Sequence, residues 1–209
     1  QSSVLSYLDL VKNTFLENAH TRLPFAGVSA FYRALQNGAG GHAFNPMHYV
    51  SSSPWNLYDF LIDFLRLRQI PKGPLFLQDI GLTDNQWVTA DHGDHKIAAI
   101  NEIFQIHAHL PFVLIGDSTQ HDAFIYAEIA RKQPERVHVI YIRDVDTEPQ
   151  RQQEIEHLSA ELAGYSVPML LVKDTVAAAS DAVARGLIEP DTLSDVRESE
   201  AEPEGLSLP

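Results

Sequence analysis

The feature that most limits the fold of this chain is the alternation of short apolar runs with segments of helical periodicity. Apolar runs of strand length recur along the sequence, and helical patterns of about 10–15 residues stand between most of them. Such alternation is typical of parallel βαβ units. The sequence therefore predicts an α/β fold, a Rossmann-like open parallel sheet with helices on both faces. The predicted strands span residues 47–50, 112–115, 137–142 and 169–172, and a further strand is predicted within residues 73–79.

Amphipathic spacing predicts the helices. The first, at 3–17, is a candidate for contact with a lipid surface, although its pattern favours packing over the sheet. Pro54 is expected in the first turn of a helix at 54–68, where its missing N–H costs nothing. The other predicted helices span 26–36, 95–108, 122–132, 148–163 and 175–185.

Charge and composition exclude several classes of function. The 209 residues include no cysteine, so a thiolate metal site is ruled out, and the net charge of −13 argues against binding to nucleic acid. The sequence shows no signal peptide and no apolar run near the ~18–20 residues of a membrane span. We expect a cytoplasmic protein whose contact with a membrane, if any, is peripheral.

The acidic residues are concentrated at the end of the chain. Residues 189–209 contain seven Asp or Glu and one basic residue, Arg197. This composition predicts a disordered acidic tail that follows a single α/β domain at 1–188.

Polar residues follow four of the predicted strands, in the segments HYVSSS, FLQD, LIGD and YIRD. In open α/β sheets, ligands bind beyond the carboxyl ends of the strands. The sequence therefore predicts a site at this edge, with Ser51, Ser52, Ser53 and Asp79 as candidates for binding substrate.

Asp117 and Asp122 are the candidate metal ligands. Asp117 follows a predicted strand and Gly116, and Mg²⁺ prefers one or two carboxylates together with water and phosphate oxygens. The alternative is that Asp117 forms a turn and Asp122 caps the next helix. The residues alone leave both interpretations open.

Ser51 is the candidate phosphate ligand among the three serines, because it stands at the strand end, where hydroxyl and backbone N–H groups can hold an anion. Ser53 is expected to cap the helix that begins at Pro54. Lys96 stands near the start of a predicted helix, where a cation is disfavoured. A nearby phosphate or carboxylate cluster would explain it, and an exposed lysine is the alternative.

Two further patterns are weaker evidence for a functional site. The histidines at 92, 95, 107 and 109 invite a zinc interpretation, but the HExxH pattern is absent. The segment DVDT at 144–147 resembles an aspartyl-phosphate nucleophile motif, but Glu148 stands where that motif has Thr or Val, which favours a turn.

Three blocks of this sequence, YVSSSPW, GDSTQHD and IYIRDV, resemble the catalytic domain of the actin-patch phosphatidate phosphatase family, a branch of the haloacid-dehalogenase-like superfamily. The segment TRLPFAGVSAFYRAL is similar to the part of that domain that precedes the serine motif. The resemblance extends from about residue 1 to about residue 175 and leaves the acidic tail uncovered.

The resemblance implies a Mg²⁺-dependent phosphatase that acts on a phosphomonoester, with phosphatidate as the substrate. In that superfamily one aspartate attacks phosphorus, and a second aspartate, two residues on, protonates the leaving oxygen. The matching positions imply that Ser51 binds the phosphoryl group and Lys96 steadies its charge. They imply that Asp117 and Asp122 hold Mg²⁺.

The sequence departs from the family at its beginning. The DxDxT motif that would supply the nucleophile and the acid is expected just before Gln1, and it does not occur within these 209 residues. We therefore expect these residues to lack the central first strand and, alone, to be inactive. The alternatives are a phosphatase for soluble sugar or nucleotide phosphates and a non-catalytic binding module of the same fold.

Overall fold

The computed structural model describes residues 26–78, 92–145 and 147–201. The predicted helix at 3–17 lies outside these ranges, as do Asp79 and Asp146. Within them, helices and strands alternate as predicted as far as the last strand. In chain order they are α1 (Val28–Asn37), β1 (Tyr49–Pro54), α2 (Tyr58–Leu67), β2 (Leu75–Gln78), α3 (His92–Ile106), β3 (Phe112–Asp117), α4 (Asp122–Lys132), β4 (Val137–Arg143), α5 (Pro149–Ala163), β5 (Met169–Val172), α6 (Thr175–Ala184) and α7 (Thr192–Ala201).

The strands form two parallel sheets, one with the order β1–β2 and one with the order β3–β4–β5. The predicted α/β class, with parallel sheets flanked by helices, is confirmed. In the described part of the chain, however, no ladder joins β1 to β3, so the predicted single sheet is divided there. Direct pairing of these two strands would have contradicted the expectation of a further strand between them. That further strand stays a prediction.

Helices cover both faces of the larger sheet because the side chains of β4 alternate between two cores. Ile140 and Ile142 pack with residues of α3, α4 and α5 on one face. Val139 and Tyr141 pack with residues of α1, α6 and α7 on the other. The four side chains are fully buried, as expected for a central parallel strand.

Two predicted helix starts are wrong. Pro54 ends β1, where it pairs with Gln78, and a 3₁₀ turn at Trp55–Leu57 separates it from α2. Ser53 therefore lies within the strand and does not cap a helix. At the other position, α3 begins at His92 and not at the predicted His95. Lys96 accordingly stands just beyond the first turn of the helix.

The prediction of a disordered tail at 189–209 is wrong for Thr192–Ala201, which form α7. This helix packs on α1 and α6, and its Val196 is fully buried. A Cβ at Gly27 would stand 2.9 Å from the Val196 carbonyl oxygen, so glycine permits the close approach of α7. The acidic residues misled the prediction because one apolar stripe is enough to dock a short helix.

Val196→Asp tests this docking. We expect the free energy of unfolding to fall by about 3–4 kcal/mol, because a charge would be placed in a core without a partner. Urea denaturation of the full-length protein measures the change. The control is Ser194→Asp, which adds the same charge at an exposed position of α7. Equal stability of the two variants would show that α7 is not docked.

Candidate active site

A cavity of about 260 Å³ lies at the carboxyl edge of the β3–β4–β5 sheet. Residues of all three strands line it, together with residues of β1, α1, α3, α4 and α6. Its charged lining residues are Lys96, Asp117, Asp122, Arg143 and Asp174. The position agrees with the rule that ligands bind beyond the carboxyl ends of parallel strands.

Lys96 and Asp122 form a buried ion pair in this cavity. Lys96 Nζ lies 2.6 Å from Asp122 Oδ1, and both side chains are only 8% exposed. The same Nζ donates to Gln120 Oε1 at 3.0 Å. The carboxylate expected beside Lys96 is therefore Asp122. Such a pair fixes the position of both charges, because removing either partner would leave the other buried and uncompensated.

Gly116 allows Asp122 to reach the end of β3. A Cβ built on Gly116 would lie 2.6 Å from both Cβ and Oδ2 of Asp122, so no larger residue fits without displacing the carboxylate. Asp122 Oδ2 also accepts the backbone N–H of Asp117 at 3.3 Å. Asp122 is the first residue of α4 and does not act as its N-cap, which is His121. The helix-capping alternative for Asp122 is therefore wrong.

Asp117 holds the turn between β3 and α4. Its Oδ1 accepts the backbone N–H of Thr119 at 2.8 Å and that of Gln120 at 3.2 Å, and also the Thr119 hydroxyl. The turn-forming alternative for Asp117 is thus observed. Among the described residues these bonds all end on Oδ1, which leaves Oδ2 able to accept a ligand in the cavity.

Arg143 is a charged site residue to which the sequence assigned no role. It is the Cα partner of Asp117 on one side and of Val172 on the other. Burial lowers the pKa of Arg143 to about 10, and the neighbouring carboxylates of Asp117 and Glu200 oppose that shift. The YIRD segment was the available signal, since it ends a buried strand with a cation.

The three serines are not among the described residues that line the cavity. The Ser51 hydroxyl donates to Ser53 Oγ at 3.0 Å and accepts the Ser53 N–H at 3.1 Å. Among the described residues that line the cavity, β1 contributes Val50 and none of the serines. The role of Ser51, Ser52 and Ser53 in binding substrate stays a prediction. Asp79, outside the described residues, stays one as well.

Two histidines, His48 and His107, lie in contact with each other and are not among the residues that line the cavity. Nε2 of His107 lies 3.3 Å from Nε2 of His48, and the pKa of His48 is lowered by burial and then by His107. Within the ranges that the structure describes, no three His, Cys, Asp or Glu residues form a group able to hold a metal ion.

The chain is thus an α/β protein with a charged cavity at the carboxyl ends of its parallel strands. The model of the family described as "Phosphatidate phosphatase APP1, catalytic domain" matches residues 1–144. The chain belongs to this family, and the resemblance drawn from the sequence is confirmed.

Two curated proteins show how much of a relative this chain represents. It is 28% identical over 134 residues to phosphatidate phosphatase APP1 of Saccharomyces cerevisiae, covering 64% of this chain and 22% of that protein. It is 31% identical over 121 residues to an uncharacterized protein of Schizosaccharomyces pombe, covering 57% and 19%. The chain thus spans about a fifth of the length of these relatives. No solved structure matches it.

None of the helices in the described ranges has the length and apolar character needed to cross a bilayer.

Proposed function

We propose that the full-length protein is a Mg²⁺-dependent phosphatidate phosphatase that works through an aspartyl-phosphate intermediate. The observation that carries this proposal is the family match over residues 1–144, which includes Lys96, Asp117 and Asp122 of the charged cavity. Phosphatidate as substrate comes from the name of the family and from one relative. A lipid substrate would also require peripheral contact with a membrane.

The cavity contains carboxylate oxygens, the ligand type that Mg²⁺ prefers. Asp122 is engaged by Lys96, so Asp117 is the carboxylate that would hold the ion, with water and phosphate oxygens completing its shell. Mg²⁺, when bound, would neutralise charge on the transferring phosphoryl group. The turn at Thr119 and Gln120 fixes the direction of the Asp117 carboxylate before any ligand arrives.

Lys96 and Asp122 have a supporting role in this proposal. Asp122 holds the ammonium group at the cavity wall through a 2.6 Å contact, and burial excludes water from the pair. A cation held in place stabilises developing negative charge at no cost of reorganisation. The attacking carboxylate is the part of the mechanism that the resemblance implies and that has no DxDxT match in the 209 residues.

The proposal is tested by release of inorganic phosphate from candidate substrates. We expect the full-length protein to release phosphate from phosphatidate in detergent micelles, to lose this activity in EDTA, and to regain it with Mg²⁺. Soluble sugar and nucleotide phosphates form the second arm. Turnover of those esters alone would replace phosphatidate by a soluble substrate, and failure in both arms would favour a non-catalytic module.

A further inference from the structure

Arg143 has the position of a group that faces the substrate. As register partners on neighbouring parallel strands, Asp117 and Arg143 project from the same face of the sheet, and both line the cavity. The Ser118 N–H donates to the Arg143 carbonyl at 2.9 Å, and the Asp144 N–H donates to that of Val172 at 2.8 Å. The backbone around Arg143 is therefore held from both neighbouring strands.

Arg143 can make a two-donor contact with a phosphoryl group that Lys96 cannot make. The ammonium of Lys96 is committed to Asp122 and Gln120. Arg143 is the other cation among the described residues of the lining, beside the carboxylates of Asp117 and Asp174. A guanidinium group presents parallel N–H donors that match two oxygens of a phosphoryl group, which an ammonium cannot do.

We propose that Arg143 binds the phosphoryl group of the substrate, donating two hydrogen bonds to its oxygens while Asp117 lies beside it. This inference rests on the proposed phosphatase function and adds a substrate-binding residue to it. The competing interpretation is that Arg143 only balances the negative charges of Asp117, Asp174 and Glu200. Each of these carboxylates interacts with it electrostatically. The two interpretations differ in what happens when phosphate binds.

Inorganic phosphate is the probe, titrated calorimetrically into full-length protein with Mg²⁺ present. We expect Arg143→Gln to weaken phosphate binding about 10- to 100-fold, the loss typical of a charge-assisted hydrogen-bonded contact. Arg143→Lys should recover part of this affinity, because it keeps the charge and loses the paired geometry. Arg131→Gln is the control, since Arg131 pairs with Glu161 at the surface.

Thermal melts separate binding from folding. Arg143→Lys keeps the charge that balances the carboxylates, so weakened phosphate binding with an unchanged melting temperature supports the contact. Phosphate affinity within about twofold of wild type in both Arg143 variants would overturn the inference, as would wild-type protein that binds no phosphate. Wild-type protein that binds phosphate through Arg143 but hydrolyses no ester would instead overturn the proposed function.

Discussion

Asp117→Asn is expected to lower phosphate release by the full-length protein about 10²–10³-fold. The substitution preserves the shape of the side chain and an oxygen acceptor for the turn at Thr119 and Gln120. It removes the negative charge with which the proposed site would bind Mg²⁺, and preorganised charge is usually the largest single contribution to catalysis. The measurement is kcat/KM with phosphatidate over a range of Mg²⁺ concentrations.

A matched control distinguishes this effect from a general effect of charge. Asp63→Asn removes one negative charge from α2, where Asp63 pairs with Arg66 and is 73% exposed, and it should leave activity within about twofold. Asp146→Asn alters the DVDT segment, which the sequence predicts to be a turn, and it should reduce activity far less than Asp117→Asn does. If Asp117→Asn and Asp146→Asn reduced activity equally, DVDT would be a functional motif and the assignment of Asp117 would be wrong.

The sequence predicted the bounds of two elements to the residue. The bounds of α4 and β5 agree with the predicted 122–132 and 169–172. Here apolar periodicity and the turn residues indicate the same limits. At Pro54 they conflict, because the residue suits both a first helical turn and the end of an edge strand, and pairing with β2 decides the outcome.

The site was predictable where one residue constrains another locally. Gly116 and the two aspartates lie within seven residues, so their cluster could be expected from sequence. The partner of Lys96 is 26 residues away, and only the disfavoured cation near a helix start hinted at it. The place of Arg143 beside Asp117 depends on strand register, which no local pattern in the chain encodes.

Lys96→Met is expected to cause the largest combined loss of stability and activity. It leaves the Asp122 carboxylate buried without its cation, and breaking a buried pair from one side costs about 3–5 kcal/mol. Urea denaturation measures the loss. The surface control is Lys132→Met, whose pairing with Glu128 at 61% and 42% exposure should contribute at most about 1 kcal/mol.

The double variant Lys96→Met with Asp122→Asn separates folding from function. Removing both charges together leaves no uncompensated ion, and Asn keeps an acceptor for the Asp117 N–H, so we expect most of the lost stability to return. Activity should stay at least about 100-fold below wild type, because the cation proposed to stabilise the phosphoryl charge is still absent. A stable double variant with wild-type turnover would mean that Lys96 and Asp122 only support the fold, and the proposed site would then have to operate without them.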